Sequence, residues 1–190
     1  MTPQDFLSSN VWVLKMKTYF QVMDANQDGV LSLSDYEQIA KRLTQQQKDL
    51  SKSEEIYNVF RSLFHNFVAG GNPETSIQVD VETFLTNAAK AVSSMQSAPE
   101  AGRKKNEVFF DFVDTDASGM ISQEEYRKYL AIYSGGDNSN RADQAFASID
   151  VDGDNFISRN EFVESHMRYW FESTDDLANG PLPYGPLINS

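Results

Sequence analysis

One twelve-residue stretch decides the fold: Asp150-Val151-Asp152-Gly153-Asp154-Asn155-Phe156-Ile157-Ser158-Arg159-Asn160-Glu161. It carries carboxylates at its positions 1, 3, 5 and 12. Because alternate side chains of a tight loop point inward, Asp150, Asp152 and Asp154 can converge on one cation. Glu161 is long enough to complete the oxygen shell with both of its carboxylate oxygens. The stretch therefore predicts a binding site for a divalent cation.

The other positions of this stretch support the same prediction. Phe156 at position 7 can offer its backbone carbonyl, and Ser158 at position 9 can hold a ligand water. Position 6 of such a loop is usually Gly because the chain turns there with φ > 0, and Asn155 is one of the few other residues that tolerate this geometry. The whole pattern is that of the EF-hand calcium loop.

The same spacing recurs over residues 24–35. The predicted ligands of this first site are Asp24, Asn26, Asp28, the carbonyl of Val30, Ser32 and Asp35. Asp35 closes the loop and is one methylene shorter than Glu, so contact through two oxygens requires the loop to tighten. A smaller oxygen shell suits magnesium. We therefore expect magnesium to compete with calcium, most strongly at this site.

A third copy of the pattern lies over residues 114–125. Its predicted ligands are Asp114, Asp116, Ser118, the carbonyl of Met120, Ser122 and Glu125. Ser118 is the weaker ligand, because a hydroxyl replaces a carboxylate at position 5. With the loops at 24–35 and 150–161, the sequence predicts three calcium sites per chain.

A second hand is expected between predicted helices at residues 54–69 and 80–95. Its loop, residues 72–83, has Ile77 in place of the turn Gly and Thr83 in place of the closing carboxylate. We interpret it as a structural hand that binds no metal and pairs with the first. An apolar residue at position 8 of every loop predicts a short two-stranded contact within each pair: Leu31, Val79, Ile121 and Ile157.

The predicted fold is all-α, with four EF-hands in two pairs that form one compact globule. Residues 1–97 would hold the first pair and residues 98–190 the second pair and the tail, with the boundary inside residues 95–105. The basic run at 103–105 in this boundary is interpreted either as a solvated helix start or as a docking site for a partner.

Helices are expected at residues 5–23 and 34–47 around the first loop, and connections at 44–53 and 134–138. The tail, residues 177–188, contains three prolines that forbid a regular helix. Its apolar residues are expected to fold back into the cleft between the halves and to pack in the interior.

The composition excludes several classes of function. The chain has 190 residues and a net charge of −12, so nucleic acid and acidic membranes are poor partners. It contains no Cys, which excludes disulfides and thiol catalysis. The sequence shows no signal peptide, no apolar run of membrane-spanning length, and Thr2 where myristoylation needs Gly. We expect a cytoplasmic monomer.

Four hands with an inactive second one, followed by an apolar tail, resemble the invertebrate sarcoplasmic calcium-binding proteins. The most specific marks are Trp12-Val13-Leu14-Lys15-Met16-Lys17-Thr18-Tyr19-Phe20, Asp35 at the end of the first loop, and Tyr184-Gly185-Pro186-Leu187. This resemblance covers nearly the whole chain. It implies a compact globule with a buried aromatic interior that buffers calcium and magnesium.

The sequence is also similar to luciferin-binding proteins and calcium-triggered photoproteins, which hold coelenterazine in the same interior. His166, Trp170 and Tyr184 are similar to the last His–Trp–Tyr set of photoproteins. The spacing from Trp170 to Tyr184 is longer, however, and Met16 stands where photoproteins place a His. His166 is therefore interpreted either as a core or surface histidine or as part of a site for a small hydrophobic ligand.

Three functions remain open at this level. Sensors open a Met-rich groove for target helices, whereas buffers barely open. With 6 Met and with 13 Phe, 8 Tyr and 2 Trp, the composition favours a closed buffer over a sensor. The other alternative is a luciferin-binding or photoprotein-like protein that releases or oxidises its ligand when calcium binds. With 2 His, no Cys and no Gly-rich phosphate loop, the sequence shows no catalytic constellation.

Overall fold

The computed structural model describes residues 1–46, 53–97, 99–135, 139–173 and 180–188. The helices in these ranges are α1 Pro3–Leu7, α2 Asn10–Met23, α3 Leu33–Gln46, α4 Ser53–Leu63, α5 Val81–Met95, α6 Pro99–Val113, α7 Gln123–Ser134, α8 Ser139–Ile149 and α9 Arg159–Phe171. A π-helical turn follows α4 at Phe64–Val68. The short strands are β1 Leu31–Ser32, β2 Gln78–Val79, β3 Met120–Ser122 and β4 Phe156–Ser158. The all-α prediction is confirmed.

The helix predicted over residues 5–23 is two helices, so that prediction is wrong in its detail. α1 ends at Leu7 and α2 begins at Asn10, after Ser9. The Ser9 side chain accepts a hydrogen bond from the Trp12 N–H and caps α2. A hydroxyl that satisfies a free N–H favours a helix start over a continuous helix, and this breaks the helix at the pair of serines.

The helix predicted over residues 54–69 also changes character near its end. The Ala69 N–H donates to the carbonyl of Phe64 at 2.8 Å, a wider turn than that of an α-helix. Such π turns are frequent at functional sites. The turn buries Phe64 and Val68, and it places Phe67 on the wall of an internal cavity.

The predicted contacts at position 8 of the loops are confirmed. Leu31 pairs with Val79 between antiparallel β1 and β2, and Ile121 pairs with Ile157 between β3 and β4. All four side chains are buried. The second hand therefore pairs with the first although it lacks the closing carboxylate.

The core joins the first hand to the last. The Trp12 indole N–H donates to the carbonyl of Trp170 at 3.0 Å, and the Tyr169 hydroxyl donates to the carbonyl of Lys15. The ammonium of Lys15 donates to the carbonyl of Glu172 at 3.0 Å, just beyond the end of α9. Trp12 is fully buried in the core. These contacts hold α2 and α9 side by side.

The tail packs into the interior, as predicted. Tyr184 is 6% exposed and lies against the rings of Tyr19, Tyr169 and Trp170. The Tyr126 hydroxyl donates to the carbonyl of Pro183 at 2.7 Å. Further hydrogen bonds tie the tail to α8 and α2, from Leu182 N–H to Ser148 Oγ, from Arg141 Nε to the Tyr184 carbonyl, and from Ile188 N–H to Thr18 Oγ1.

The predicted boundary at residues 95–105, the predicted connections and the start of the tail can be compared with the described residues only in part. Helix α5 ends at Met95 and α6 begins at Pro99. Arg103, inside α6, pairs with Glu164 of α9 at 2.5 Å, so the first residue of the basic run holds two helices together. Residues 47–52, 136–138 and 177–179, where connections and the start of the tail are expected, lie outside the described residues. No helix in the described ranges combines the length and apolarity needed to cross a membrane.

Candidate metal centres and internal cavity

Three loops share one backbone shape. Loop I lies between α2 and α3, loop III between α6 and α7, and loop IV between α8 and α9. Positions 4 and 6 have positive φ in each of them: Gln27 and Gly29, Ala117 and Gly119, Gly153 and Asn155. The left-handed geometry predicted for Asn155 is confirmed, with φ of 67°. The left-handed position 4 could not be predicted from the sequence, because Gln27 and Ala117 do not signal this conformation.

Loop IV brings its first three carboxylates together. Oxygens of Asp150, Asp152 and Asp154 all lie within 4.8 Å of one another. Glu161 reaches across the loop, where its Oε1 accepts the Val151 N–H at 2.9 Å. Burial opposes ionisation of Glu161, but hydrogen bonds from Ser158 and Val151 outweigh it and lower the pKa of the carboxyl. The Glu161 carboxyl is therefore ionised at neutral pH and adds its negative charge to this loop.

Loop III is built in the same way. Asp114, Asp116 and Glu125 offer oxygens within 4.8 Å of one another. Oε1 of Glu125 accepts the Thr115 N–H at 2.9 Å. Burial raises the pKa of Glu125, but hydrogen bonds from Ser122 and Thr115 outweigh this effect, so the net shift is downward. The Ser118 hydroxyl donates to the Met120 carbonyl at 2.9 Å, so these two predicted ligands lie next to each other in the loop.

Position 9 has a role that the sequence analysis missed. The Ser158 hydroxyl donates to Oε2 of Glu161 at 2.7 Å, and the Ser122 hydroxyl donates to Oε2 of Glu125 at 2.8 Å. Each serine also accepts the N–H of its glutamate and caps the exit helix. A Ser three residues before a Glu is the signal that could have revealed these capping boxes.

Loop I differs at its closing residue. Asp35 is fully buried, and its Oδ2 accepts the N–H and the hydroxyl of Ser32 at 2.9 and 2.6 Å. Its Oδ1 is buried and has no hydrogen-bond partner among the described residues. The glutamates of loops III and IV use this second oxygen on the N–H at position 2, which the shorter aspartate does not reach.

The donors of loop I are oxygen ligands of the kind that a divalent cation takes, although its carboxylates are not drawn within 4.8 Å of one another as those of loops III and IV are. Asp24 accepts N–H groups of Asp28 and Gly29, and the Asn26 amide donates to Asp28 at 3.0 Å, which keeps these side chains inside the loop. A buried carboxylate oxygen without a partner is costly unless a cation balances it. The unpaired oxygen of Asp35 is therefore the observation that favours a metal at this loop.

The second loop is organised around a different residue. Asp80, at position 9, accepts the Thr83 N–H at 2.8 Å and caps α5. Asn72 accepts the N–H of Glu74 at 3.0 Å. The Thr83 side chain supplies no carboxylate at position 12. The sequence analysis missed Asp80, whose place just before a helix is an N-cap signal.

An internal cavity of about 330 Å³ lies between the two halves. Aromatic and aliphatic side chains from α2, α4, α5, α6, α7, α9 and the tail form most of its wall. His166, Trp170 and Tyr184 all line it. The ring centroid of Tyr184 is 5.8 Å from that of His166 and 6.3 Å from that of Trp170. The longer spacing between Trp170 and Tyr184 therefore does not separate these rings.

His166 is a core histidine whose free nitrogen has no partner. Its Nδ1 lies 2.8 Å from the carbonyl of Phe162, so Nδ1 carries the proton and donates. Nε2 is then an acceptor, and it is buried without a partner among the described residues. Burial lowers the pKa of His166 to about 4, so the ring is neutral at pH 7. Met16, which stands where photoproteins place a His, is buried in the core.

This pKa predicts that acid destabilises the metal-free protein through His166. Below the ordinary pKa of 6.5 the unfolded chain binds a proton that the folded chain does not, until the pH approaches 4. We expect this residue to lower the free energy of unfolding by about 2 kcal/mol between pH 7 and pH 5. Urea unfolding in chelator should show that His166→Leu lacks this component. An equal pH dependence in both proteins would contradict the assignment.

Family profiles match three of the four hands. An EF-hand domain-pair profile matches residues 103–167, which include loops III and IV. An EF-hand profile matches residues 16–40, which include loop I.

Whole-chain comparisons give the same family. The luciferin-binding protein of Renilla reniformis is 27% identical over 177 residues, covering 92% of this chain and 93% of its own length. The sarcoplasmic calcium-binding protein of Perinereis vancaurica tetradentata is 32% identical over 124 residues, covering 62% of this chain and 67% of its own length. The crystal structure of calcium-loaded apo coelenterazine-binding protein from Renilla muelleri is 28% identical, with a TM-score of 0.69 and coverage of 95% and 99%. The chain therefore belongs to the EF-hand calcium-binding proteins, in the family of the sarcoplasmic calcium-binding proteins and their luciferin-binding relatives.

Proposed function

We propose that this chain is a cytoplasmic, monomeric calcium buffer that binds three calcium ions through loops I, III and IV, with magnesium competing at loop I. The observation that carries the proposal is the convergence of three carboxylates within 4.8 Å in both loop III and loop IV. The buried free oxygen of Asp35 supports a metal at loop I. Residues 1–97 would form the first pair of hands and residues 98–190 the second pair. The second hand would bind no metal and would serve only to pair with the first hand.

A closed interior supports a buffer over a sensor. Sensors of this superfamily expose a Met-rich groove when calcium binds. Here Met16, Met23 and Met167 are buried, and Tyr184 of the tail packs into the space between the halves. The large apolar side chains that the structure exposes are Met1, Val151 and Phe156. Within the described ranges, the interior is covered by the tail rather than open as a groove.

Stoichiometry tests the three-site proposal. Titration calorimetry of metal-free protein should show three calcium ions per chain. Glu125→Gln and Glu161→Gln should each weaken one site at least about 100-fold, since even partners of metal ligands are worth roughly 10–100-fold. Glu124→Gln is the matched control, because Glu124 is the exposed neighbour of Glu125, and it should retain three sites. Fewer than three ions in the wild type, or equal effects of Glu124→Gln and Glu125→Gln, would contradict the proposal.

Selectivity at loop I should depend on the length of residue 35. We expect Asp35→Glu to raise the preference for calcium over magnesium, because the longer side chain brings both oxygens to a larger ion. The measurement is magnesium competition in a Glu125→Gln, Glu161→Gln background, where loop I gives the main signal. Magnesium competition that Asp35→Glu leaves unchanged would show that the length of this side chain does not set the selectivity.

The internal cavity favours a second candidate function, the binding of an aromatic small molecule such as coelenterazine. The cavity is about 330 Å³ and mostly apolar, as ligand pockets are. The unpaired Nε2 of His166 is an acceptor that a buried ligand can satisfy. Relatives described as luciferin-binding and coelenterazine-binding proteins cover nearly the whole chain. In this function, calcium binding would control whether the ligand is retained or released. The protein would remain a calcium-binding protein.

Coelenterazine titration tests the second function. We expect saturable quenching of tryptophan fluorescence at one equivalent, because Trp170 lines the cavity. His166→Phe keeps an aromatic ring but removes the acceptor, and it should weaken binding about tenfold. His65→Phe is the control, because His65 is absent from the cavity wall. Without saturable quenching in the wild type, the second function is wrong.

A further inference from the structure

The cavity approaches a surface groove on the side of α6, and we call this place its mouth. Lys105 lines the cavity and also lines a separate surface groove beside Glu54, Glu55 and Ser62 of α4. A residue shared by a cavity and a surface groove marks the place where the two approach each other. Lys105 is half-buried, and no carboxylate among the described residues lies within ion-pair distance of its ammonium.

The next residue places a second polar group on the same wall. Asn106 is 9% exposed and lines the cavity. Its side-chain amide has no hydrogen-bond partner within the described ranges, although the wall around it is mostly apolar. The amide is not among the fully buried atoms without a partner, so it faces space that water or a bound molecule can reach.

These two side chains supply donors of complementary kinds. Lys105 offers ammonium donors with a positive charge, and Asn106 offers an amide N–H₂. An acceptor oxygen with negative charge satisfies both. Glu54 and Glu55 lie on the groove side of Lys105, but the described wall of the cavity includes no carboxylate and no charged side chain besides Lys105, so the charge on the cavity side is positive. The pair therefore selects for an anionic group at the mouth.

We propose that Lys105 and Asn106 form a polar subsite that takes the anionic oxygen of an aromatic ligand, such as a sulfonate, carboxylate or phenolate. This inference rests on the second proposed function, because it requires that the cavity binds a ligand. It adds the kind of ligand group that would bind at the mouth of the cavity. The aromatic body lies against the apolar wall, a donor group can reach His166 Nε2, and the anionic oxygen stays near the surface, where its desolvation is only partial.

Two fluorescent probes that differ by one sulfonate test the subsite. 1-Anilinonaphthalene-8-sulfonate and N-phenyl-1-naphthylamine share their ring system, and only the first is an anion. Calcium-saturated wild-type protein should bind the sulfonate about fivefold more tightly than the neutral probe, the upper end of what a partly exposed ion pair provides. Lys105→Gln should remove this preference and leave binding of the neutral probe unchanged.

Two further variants make the test specific. Lys104→Gln removes an exposed charge one residue away that is not on the cavity wall, and it should keep the preference. Asn106→Leu should weaken the sulfonate more than the neutral probe. If both probes bind and Lys105→Gln affects them alike, the subsite is wrong and the cavity function stands. If neither probe binds the wild type, the cavity function fails and the subsite fails with it.

Discussion

The closing carboxylate of each intact loop is the interaction on which the rest of the structure depends. In loops III and IV one oxygen of the glutamate accepts the N–H at position 2, and the other accepts the serine that caps the exit helix. The same carboxylate is a predicted ligand of the ion. A single side chain thus joins the start of the loop, the start of the helix and the metal. Any ion bound there is coupled directly to the position of α7 or α9.

In loop I, only one oxygen of the closing carboxylate accepts hydrogen bonds. Asp35 caps α3 through Ser32, but its other oxygen is buried and free. The loop therefore depends more strongly on a cation than its counterparts do, because no N–H in the described ranges stands in for the ion. This difference of one methylene gives loop I a physical reason to differ in metal selectivity from loops III and IV.

The aromatic core packs the hands against one another. α2 leads into the first loop and α9 leaves the last, and Trp12, Lys15 and Tyr169 bind these helices together. The tail closes the space between the halves, and it is held by Tyr126, which follows Glu125, and by Ser148, which precedes Asp150 by two residues. The loops that bind calcium and the cavity that can bind a small molecule therefore share the same helices.

Local rules predicted the loops well. The register of position 8 and the left-handed Asn155 follow from spacing and from residue geometry, and both are confirmed. The break at Ser9 and the cap at Asp80 were missed, although both are local signals. Only the resemblance to luciferin-binding proteins suggested a cavity, and no residue pattern predicted the free nitrogen of His166, because both depend on how distant helices pack. The free oxygen of Asp35 follows from side-chain length, but only the structure shows its burial.

The most direct test of the closed calcium-binding protein is its retention on a phenyl matrix with calcium and with chelator. Because the tail covers the interior, the intact chain should be retained no more strongly in calcium than in chelator. A chain that ends before Gly180 loses this cover and should be retained in calcium. Strong calcium-dependent retention of the intact chain, reversed by chelator, would contradict the closed structure and would indicate a sensor that captures amphipathic targets.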